Sequence, residues 1–406
     1  MLRAVTLLLS HRCNLRCSYC YQSGRAGPAR MSWPTARAAL DLLLAGAPTK
    51  CAVEFSGGEP TLEPELVRRC ITYLRSTAQP GVAVHCSLTT NGTLLDDDLL
   101  TFLADHDVGL DLSFDGVPAA QDLRGAGTFP MLDRLLDRAR RQHPRYFAGS
   151  VTARTVVQGR TLPHLAASVR HFMKCGVRRI AIGPCLAHES CWERGDEEIL
   201  LGQVNEIVAD SLAHLEAAGT VPVGFLTGAD RDPRARDKGP HCAAVSGRGA
   251  CVDAAGRVWG CPLFARSLRR LPPLAASVAS LVSLGSVHDP ALAERLAALP
   301  ERARQHPLFL ADSRRSGTRR CRDCELAADC RICPAAICER PHSPDPHEVP
   351  EFHCAFNRVT LEARRRFRDM RVKAGATRCP TELAAALREV AAALRAASPG
   401  APPPRS

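Results

Sequence analysis

Short apolar runs alternate along the first half of the chain with stretches in which apolar residues return every three or four positions. Residues 4–9 are apolar except for Thr6 and read as a buried strand. Residues 35–45 have helical spacing, with Ser32 or Thr35 available as a cap and Pro34 beside the start. The alternation continues with a strand at 52–56, a helix at 65–76, a strand at 82–89 and a helix at 96–106 whose first turn is acidic, as the helix dipole favours. Strands at 109–113, 149–157 and 179–183 follow, interleaved with helices at 129–142, 162–175 and 196–218. Six strand–helix units in series predict an α/β fold, a parallel sheet with helices packed outside it. A doubly wound sheet and a barrel share this pattern, and in either the chemistry belongs at the C-terminal ends of the strands.

Beyond residue 225 the pattern changes. Residues 226–240 are polar and Gly/Pro-bearing and read as a linker. From 242 to 354 strands are few and nine cysteines appear. Residues 356–373 are Arg-rich and helical, and 381–397 form a second helix with Leu383, Leu387, Val390 and Leu394 on one face. The stretch 398–406 holds four prolines and is expected to be a disordered tail. The expected organisation is a βα domain at 1–225, a cysteine-rich domain at 241–356, and C-terminal helices at 357–397.

Composition narrows the function. With 45% hydrophobic and 23% charged residues, the chain is not mainly disordered. Its 53 Lys plus Arg against 42 Asp plus Glu give a net charge of +11, which admits an acidic partner but also an ordinary Arg-rich surface. The densest basic run, Arg364-Arg365-Arg366-Phe367-Arg368, is short for a phosphate footprint and reads as a solvated helix face, so a nucleic-acid partner is not expected. No stretch resembles a membrane span or a secretory signal, so a cytoplasmic location without a membrane partner is expected. Thiols stay reduced there, so the clustering of the 19 cysteines points to metal or cluster ligation rather than disulfides.

The sequence Cys13-Asn-Leu-Arg-Cys17-Ser-Tyr-Cys20 follows the first strand directly. Three thiolates on one short loop can hold three irons of a [4Fe–4S] cubane and leave the fourth iron open. The competing reading is zinc, with His11 as fourth ligand. This loop resembles the cysteine motif of the radical S-adenosylmethionine (radical SAM) superfamily. The resemblance extends to Ser56-Gly57-Gly58-Glu59-Pro60, Thr89-Thr90-Asn91-Gly92 and Ser113-Phe114-Asp115-Gly116, each at a predicted strand end, and covers residues 1 to about 220. It implies a partial (β/α)6 TIM-like barrel and a [4Fe–4S] cluster on Cys13, Cys17 and Cys20 coordinated with S-adenosylmethionine. It also implies reductive cleavage of that molecule to a 5′-deoxyadenosyl radical that abstracts hydrogen from an unactivated carbon. By the same resemblance Gly57, Gly58 and Glu59 line the methionyl amine, Tyr19 lies near the adenine, and Thr90, Asn91 and Ser113 are candidates for the ribose and carboxylate. For Ser113, simple strand-end capping stands beside that reading.

The later cysteines resemble the SPASM extension of radical SAM peptide and protein maturases, which carries two auxiliary clusters in the pattern C-x9–15-G-x4-C, C-x2-C-x5-C-x3-C, then C. Cys242, Gly256 and Cys261 fit the first part, Cys321, Cys324 and Cys330 the second, and Cys354 the last. Position 334, where a further cysteine would fall, is Pro; Cys333 and Cys338 lie on either side of it. Carried over, one [4Fe–4S] cluster uses Cys321, Cys324, Cys330 and Cys354. The other uses Cys242, Cys261 and either Cys333 or Cys338, with Cys251 as a possible fourth ligand. Structural zinc, aided by His342, His347 and His353, is the competing reading. The remaining thiols, Cys51, Cys70, Cys86, Cys175, Cys185, Cys191 and Cys379, read as buried or inert, although Cys185 ends the sixth strand and could face a cavity.

The resemblance implies a peptide or protein substrate and a flavodoxin- or ferredoxin-like electron donor. No leader-binding domain is expected ahead of the first strand, so leader recognition, where it occurs, falls to the module at 242–354 or to a separate leader-binding protein. Anaerobic sulfatase maturation, which forms formylglycine, is the second enzymatic reading. Sulfatase maturases resembling this chain carry Asp after the cysteine that matches Cys261; here the residue is Pro262, and Asp253 and Asp115 are the replacements on offer. A non-enzymatic, basic, zinc- and nucleic-acid-binding protein is the alternative of a different class.

Overall fold

A computed structural model describes residues 2–22, 30–45, 49–186, 192–228, 242–309, 319–339 and 348–376. Most of the expected linker, the helix expected at 381–397, the tail at 398–406, and Cys191, Cys379, His342 and His347 lie outside the described residues. In chain order the first elements are β1 (Ala4–Ser10), α1 (Trp33–Ala45), β2 (Lys50–Gly57), α2 (Pro64–Thr77), β3 (Ala83–Thr90), α3 (Asp97–Asp105) and β4 (Gly109–Ser113). Then come α4 (Pro118–Gly125), α5 (Phe129–Gln142), α6 (Pro144–Ser150), β5 (Val151–Val157), α7 (Leu165–Lys174), β6 (Ile180–Pro184), α8 (Asp196–Ala218) and α9 (Gly224–Thr227). The remainder holds β7 (Gly249–Val252), β8 (Arg257–Trp259), α10 (Pro273–Val282), β9 (Ser283–Ser286), α11 (Leu292–Arg304), α12 (Arg319–Arg322), α13 (Pro334–Cys338) and α14 (Glu351–Ala376).

The chain divides into two compact units. The first draws its described residues from 1–113, 233–323 and 333–348. Its strands lie in the order β4-β3-β2-β1-β7-β8-β9. Pairing is parallel from β4 through β1 to β7 and antiparallel from β7 to β9. β1 has a strand on each edge, and its side chains are buried on both faces as well: Leu7, Leu8 and Leu9 have no exposed surface. The helices form as their patterns dictate: Val67, Cys70, Ile71 and Leu74 make the buried stripe of α2, and Asp96 caps α3 by accepting from the Leu99 N–H at 2.8 Å. The register of β1 on β2 slips between Leu8 and Ser10. This extra residue is a bulge that bends the strand just before it enters the cysteine loop.

The second unit draws on 114–232, 324–332 and 349–406. Here β5 and β6 pair in parallel from Ala153↔Ile180 to Val157↔Pro184. Phe114, Phe129, His171 and Phe172 form an aromatic cluster, with Phe114 and Phe172 edge-on at 5.3 Å between centroids. The arginine run of α14 is committed to protein contacts rather than lying free: Arg364 donates to the Phe225 carbonyl, Arg365 pairs with Asp329 and Arg366 reaches Asn205.

Two local expectations are corrected. The fifth strand begins at Val151, not at 149, because Pro144 starts a short helix whose Tyr146 and Phe147 are buried. Helix α4, opened by Pro118, was not expected at all. The region after 242 has few strands, as expected, but the sequence did not anticipate that one of them, β7, would extend the parallel sheet by pairing with β1 from Ala4↔Gly249 to Leu7↔Val252. Among the described residues, no helix is long and apolar enough to cross a membrane.

Candidate functional site

The strand ends of the first unit are tied together layer by layer. In the lower layer, Glu54 of β2 accepts from Thr6 of β1 at 3.1 Å and from Thr89 of β3 at 3.0 Å. Above it the chain leaves β1 through Ser10 and enters the loop carrying Cys13, Cys17 and Cys20, all half-buried. Two backbone hydrogen bonds dock that loop on the end of β2: Gly58 N–H to Ser10 O at 2.6 Å, and Glu59 N–H to Arg12 O at 2.7 Å. The approach is too close for side chains. A Cβ at Gly57, whose φ is +137°, would lie 2.4 Å from Ser10 O, and one at Gly58 would lie 2.1 Å from Arg12 O.

Glu59 is 1% exposed. Its Oε1 accepts from Thr61 N–H, Thr61 Oγ1 and Thr90 Oγ1 at 3.0, 2.6 and 2.6 Å, and its Oε2 accepts from Asn91 N–H at 2.8 Å. Burial pushes its carboxyl up from the usual range while these donors pull it down. Thr90, also 1% exposed, accepts in turn from Gly92 N–H. The side chains of Glu59 and Thr90 therefore serve each other. Asn91 reaches the cysteine loop, donating to Asn14 Oδ1 at 2.9 Å and toward Cys13 Sγ at 3.9 Å; Leu15 N–H points at the same sulfur from 3.4 Å. Tyr19 is 8% exposed beside Cys20, and Ser113 is half-buried at the end of β4.

The later cysteines gather in part. Cys261 lies close enough to Cys242 and Cys333 for each to raise its thiol pKa, burial being the larger cause. Cys338, pushed up to about 12 by burial, also feels Cys333, and fully buried Cys251 on β7 feels Cys261. All five thiols named for the second auxiliary cluster are thus neighbours in one unit. In the other unit, Asn357 of α14, one turn after Cys354, donates toward Cys330 Sγ at 3.6 Å. Tyr21, which the sequence reading passed over, sits near Glu54, Cys251 and Cys261, and burial raises its phenol. Asn14 and Thr61 were passed over too; Asn14 lies inside the cysteine motif and Thr61 directly follows Pro60, the last residue of the strand-end motif. Cys185 is 2% exposed at the end of β6.

Both replacement carboxylates are engaged. Asp115, fully buried, accepts from Arg124 at 2.8 Å and from Val156 N–H. Asp253 accepts from Ala255 N–H, Arg257 and Trp259 Nε1.

A single zinc ion holds its sulfurs about 3.8 Å apart, from Zn–S bonds of about 2.3 Å in a tetrahedron. Among the described residues, only Asp133, His171 and Cys175 bring three candidate ligand atoms within 4.8 Å of one another. Cys13, Cys17 and Cys20 form no such group, and ligands to separate irons of a cubane need not. Three thiols on one loop, beside a glycine cradle that a Cβ would fill, fit a cluster with an open iron.

Residues 7–171 match the model of the Radical SAM superfamily, and this stretch is a radical SAM domain. Two relatives show where the likeness runs. An uncharacterized protein of Methanocaldococcus jannaschii is 27% identical over 186 residues, 44% of this chain and 62% of that one. The cysteine-type anaerobic sulfatase-maturating enzyme of Clostridium perfringens is 28% identical over 137 residues, 31% of this chain and 37% of that one. The chain thus spans less than two thirds of these curated relatives. Among solved structures, native anSMEcpe with bound AdoMet and Cp18Cys peptide superposes with a TM-score of 0.69 at 19% identity, covering 91% of this chain and 98% of that one. Streptococcus suis SuiB bound to precursor peptide SuiA gives a TM-score of 0.57 at 13% identity, covering 87% and 76%. At such identities the likeness shows the fold: an α/β partial barrel with a helical C-terminal region.

Proposed function

We propose that the chain is a radical SAM enzyme that reductively cleaves S-adenosylmethionine and modifies a side chain of a peptide or protein. The observation that carries this reading is the junction at the end of β1, where a three-thiol loop is docked on two glycines inside the matched stretch. Cys13, Cys17 and Cys20 would hold a [4Fe–4S] cluster, which when bound supplies the electron that breaks the sulfonium carbon–sulfur bond. The protein's own work is positioning. Backbone at Gly57 and Gly58, bare of side chains, lets the methionyl amine come close. Tyr19 offers a face to the adenine, and Asn91 and Ser113 are the polar groups for ribose and carboxylate. Glu59 and Thr90 act as positioning residues that hold the ends of β2 and β3 together.

Two auxiliary [4Fe–4S] clusters complete the proposal, one on Cys321, Cys324, Cys330 and Cys354, the other on Cys242, Cys261 and Cys333 or Cys338 with Cys251. The grouping of Cys242, Cys261 and Cys333 supports the second. A peptide partner is supported by the peptides bound in the anSMEcpe and SuiB structures. Formylglycine formation is the second reading, favoured by likeness to a sulfatase-maturating enzyme. Against it stand Pro262 and the engagement of Asp115 and Asp253.

The test is anaerobic reconstitution with iron and sulfide, followed by iron counting and product analysis. Roughly twelve irons per chain and dithionite-dependent 5′-deoxyadenosine are expected. Cys17→Ala should retain auxiliary-cluster absorbance and make no 5′-deoxyadenosine; a variant that still makes it refutes the assignment.

A further inference from the structure

The second unit carries a group of ligating side chains that the proposed chemistry does not use. Asp133 lies in the second turn of α5, His171 in the last turn of α7, and Cys175 caps α7. His171 Nε2 is 3.1 Å from Asp133 Oδ1 and 3.6 Å from Cys175 Sγ, and the sulfur is 3.9 Å from the same carboxylate oxygen. Three vertices of a zinc tetrahedron with one N, one O and one S ligand are separated by about 3.3 Å (N–O), 3.6 Å (N–S) and 3.5 Å (S–O), taking bond lengths of about 2.0–2.3 Å. The observed triangle matches these edges within 0.4 Å.

The arrangement is not a nucleophile–base–orienter triad. In a triad the nucleophile and the carboxylate sit on opposite nitrogens of the imidazole. Here both face Nε2, so the ring cannot relay a proton from one to the other, whereas a metal ion at the centre accepts a lone pair from all three. The ring is held in place by Phe129, at 5.3 Å between centroids, and by Phe114 and Phe172. The Asp133 carboxylate remains 44% exposed, which leaves a way in for an ion and room for a water as fourth ligand.

We propose that Asp133, His171 and Cys175 form a mononuclear zinc site, separate from the cysteine loop at the end of β1, that staples α5 to the end of α7. The mixed N, O and S donor set suits a borderline ion such as Zn²⁺. Binding exchanges the thiol proton for the metal, S–H plus Zn²⁺ giving S–Zn and one proton released to solvent, with no change in oxidation state. Because binding releases that proton, zinc binding should strengthen as pH rises.

The test uses the full chain reconstituted with iron and sulfide only, desalted, and then given zinc sulfate. Zinc per chain is counted by mass spectrometry in wild type, Cys175→Ser and His171→Gln, with iron content as the control for folding. The wild type should hold one zinc more than either variant at equal iron. Its zinc K-edge spectrum, which the irons do not disturb, should show one sulfur among nitrogen and oxygen neighbours. Zinc should slow amide exchange in residues 129–142 and 165–175 of the wild type and not in Cys175→Ser. Equal zinc in all three proteins, a first shell without sulfur, or a shell of several sulfurs taken from cluster cysteines would each overturn the proposal. None of these readouts depends on S-adenosylmethionine cleavage, so this site and the proposed activity fail independently.

Discussion

Gly58→Ala probes the docking of the cysteine loop with the smallest change available. The added Cβ would lie 2.1 Å from Arg12 O, 2.6 Å from Arg12 C and 3.1 Å from His11 C, all of them backbone. Real contacts of this kind essentially never fall below 3.0 Å, so the loop must retreat by about 0.9 Å. That retreat pulls on both docking bonds, at 2.6 and 2.7 Å, because they run to the same stretch of backbone. Losing two hydrogen bonds at ~0.5–1.5 kcal/mol each, with ~1–3 kcal/mol of overpacking, gives a local cost of ~2–6 kcal/mol. A displacement of this size at a reacting centre lowers a rate by ~100-fold. The assay pairs the initial rate of 5′-deoxyadenosine formation with amide exchange over residues 10–22. Gly149→Ala, whose Cβ would meet nothing within 4 Å, is the control. If Gly58→Ala cleaves S-adenosylmethionine at the wild-type rate with unchanged exchange, the docking account is wrong.

Arg124→Met leaves Asp115 buried without its cation, and should lower the unfolding free energy by ~3–5 kcal/mol in urea titration. Asn91→Ala removes a donor aimed at Cys13 Sγ; a cluster held there should show a more negative midpoint in an EPR-monitored redox titration, and an unchanged midpoint would contradict the contact. Burial raises the Cys70 thiol to about 12 and the Cys86 thiol to about 11, so iodoacetamide at a pH near 8, below either value, should label neither in the native protein and both in urea, as mapped by mass spectrometry. Because the folded-state value of Cys70 is the higher one, stability should be intact below the ordinary thiol value of 9.0 and fall as pH climbs from there toward 12, a loss that Cys70→Ala should blunt. Glu59→Gln sets an amide N–H₂ against fixed backbone donors, Thr61 N–H on one side and Asn91 N–H on the other, and should cost ~1–3 kcal/mol, read as faster exchange at Asn91.

The βα series was legible because each of its elements buries a face of its own. Residues 4–9 are apolar where β1 is covered on both sides, and the four buried positions of α2 recur at helical spacing. What escaped was set by neighbours distant in sequence. Nothing local marks 249–252 as a strand; it exists because β1 offers a free edge to Gly249–Val252 across more than 240 residues. Helices α4 and α6 start at Pro118 and Pro144 and bury only a few side chains each, so their periodicity is too brief to read. The cysteine loops announce themselves by spacing, whereas Asp133 is 38 positions from His171 and meets it only once α5 and α7 are packed.

The same distinction separates the motif residues from one another. Glu59 belongs to a recognisable strand-end motif, and the sequence reading turned its carboxylate toward a ligand. In the folded chain that carboxylate also binds the protein around it. A buried charge is costly unless donors surround it, and four do: two from Thr61, one from Thr90 and one from the Asn91 backbone. Its own N–H meanwhile holds Arg12 O. One residue therefore fastens β2 to β3 with its side chain and to the cysteine loop with its backbone. Removing its charge would loosen the tie between β2 and β3 directly, while the backbone bond to Arg12 O would feel the change only through movement of the strand end that carries it.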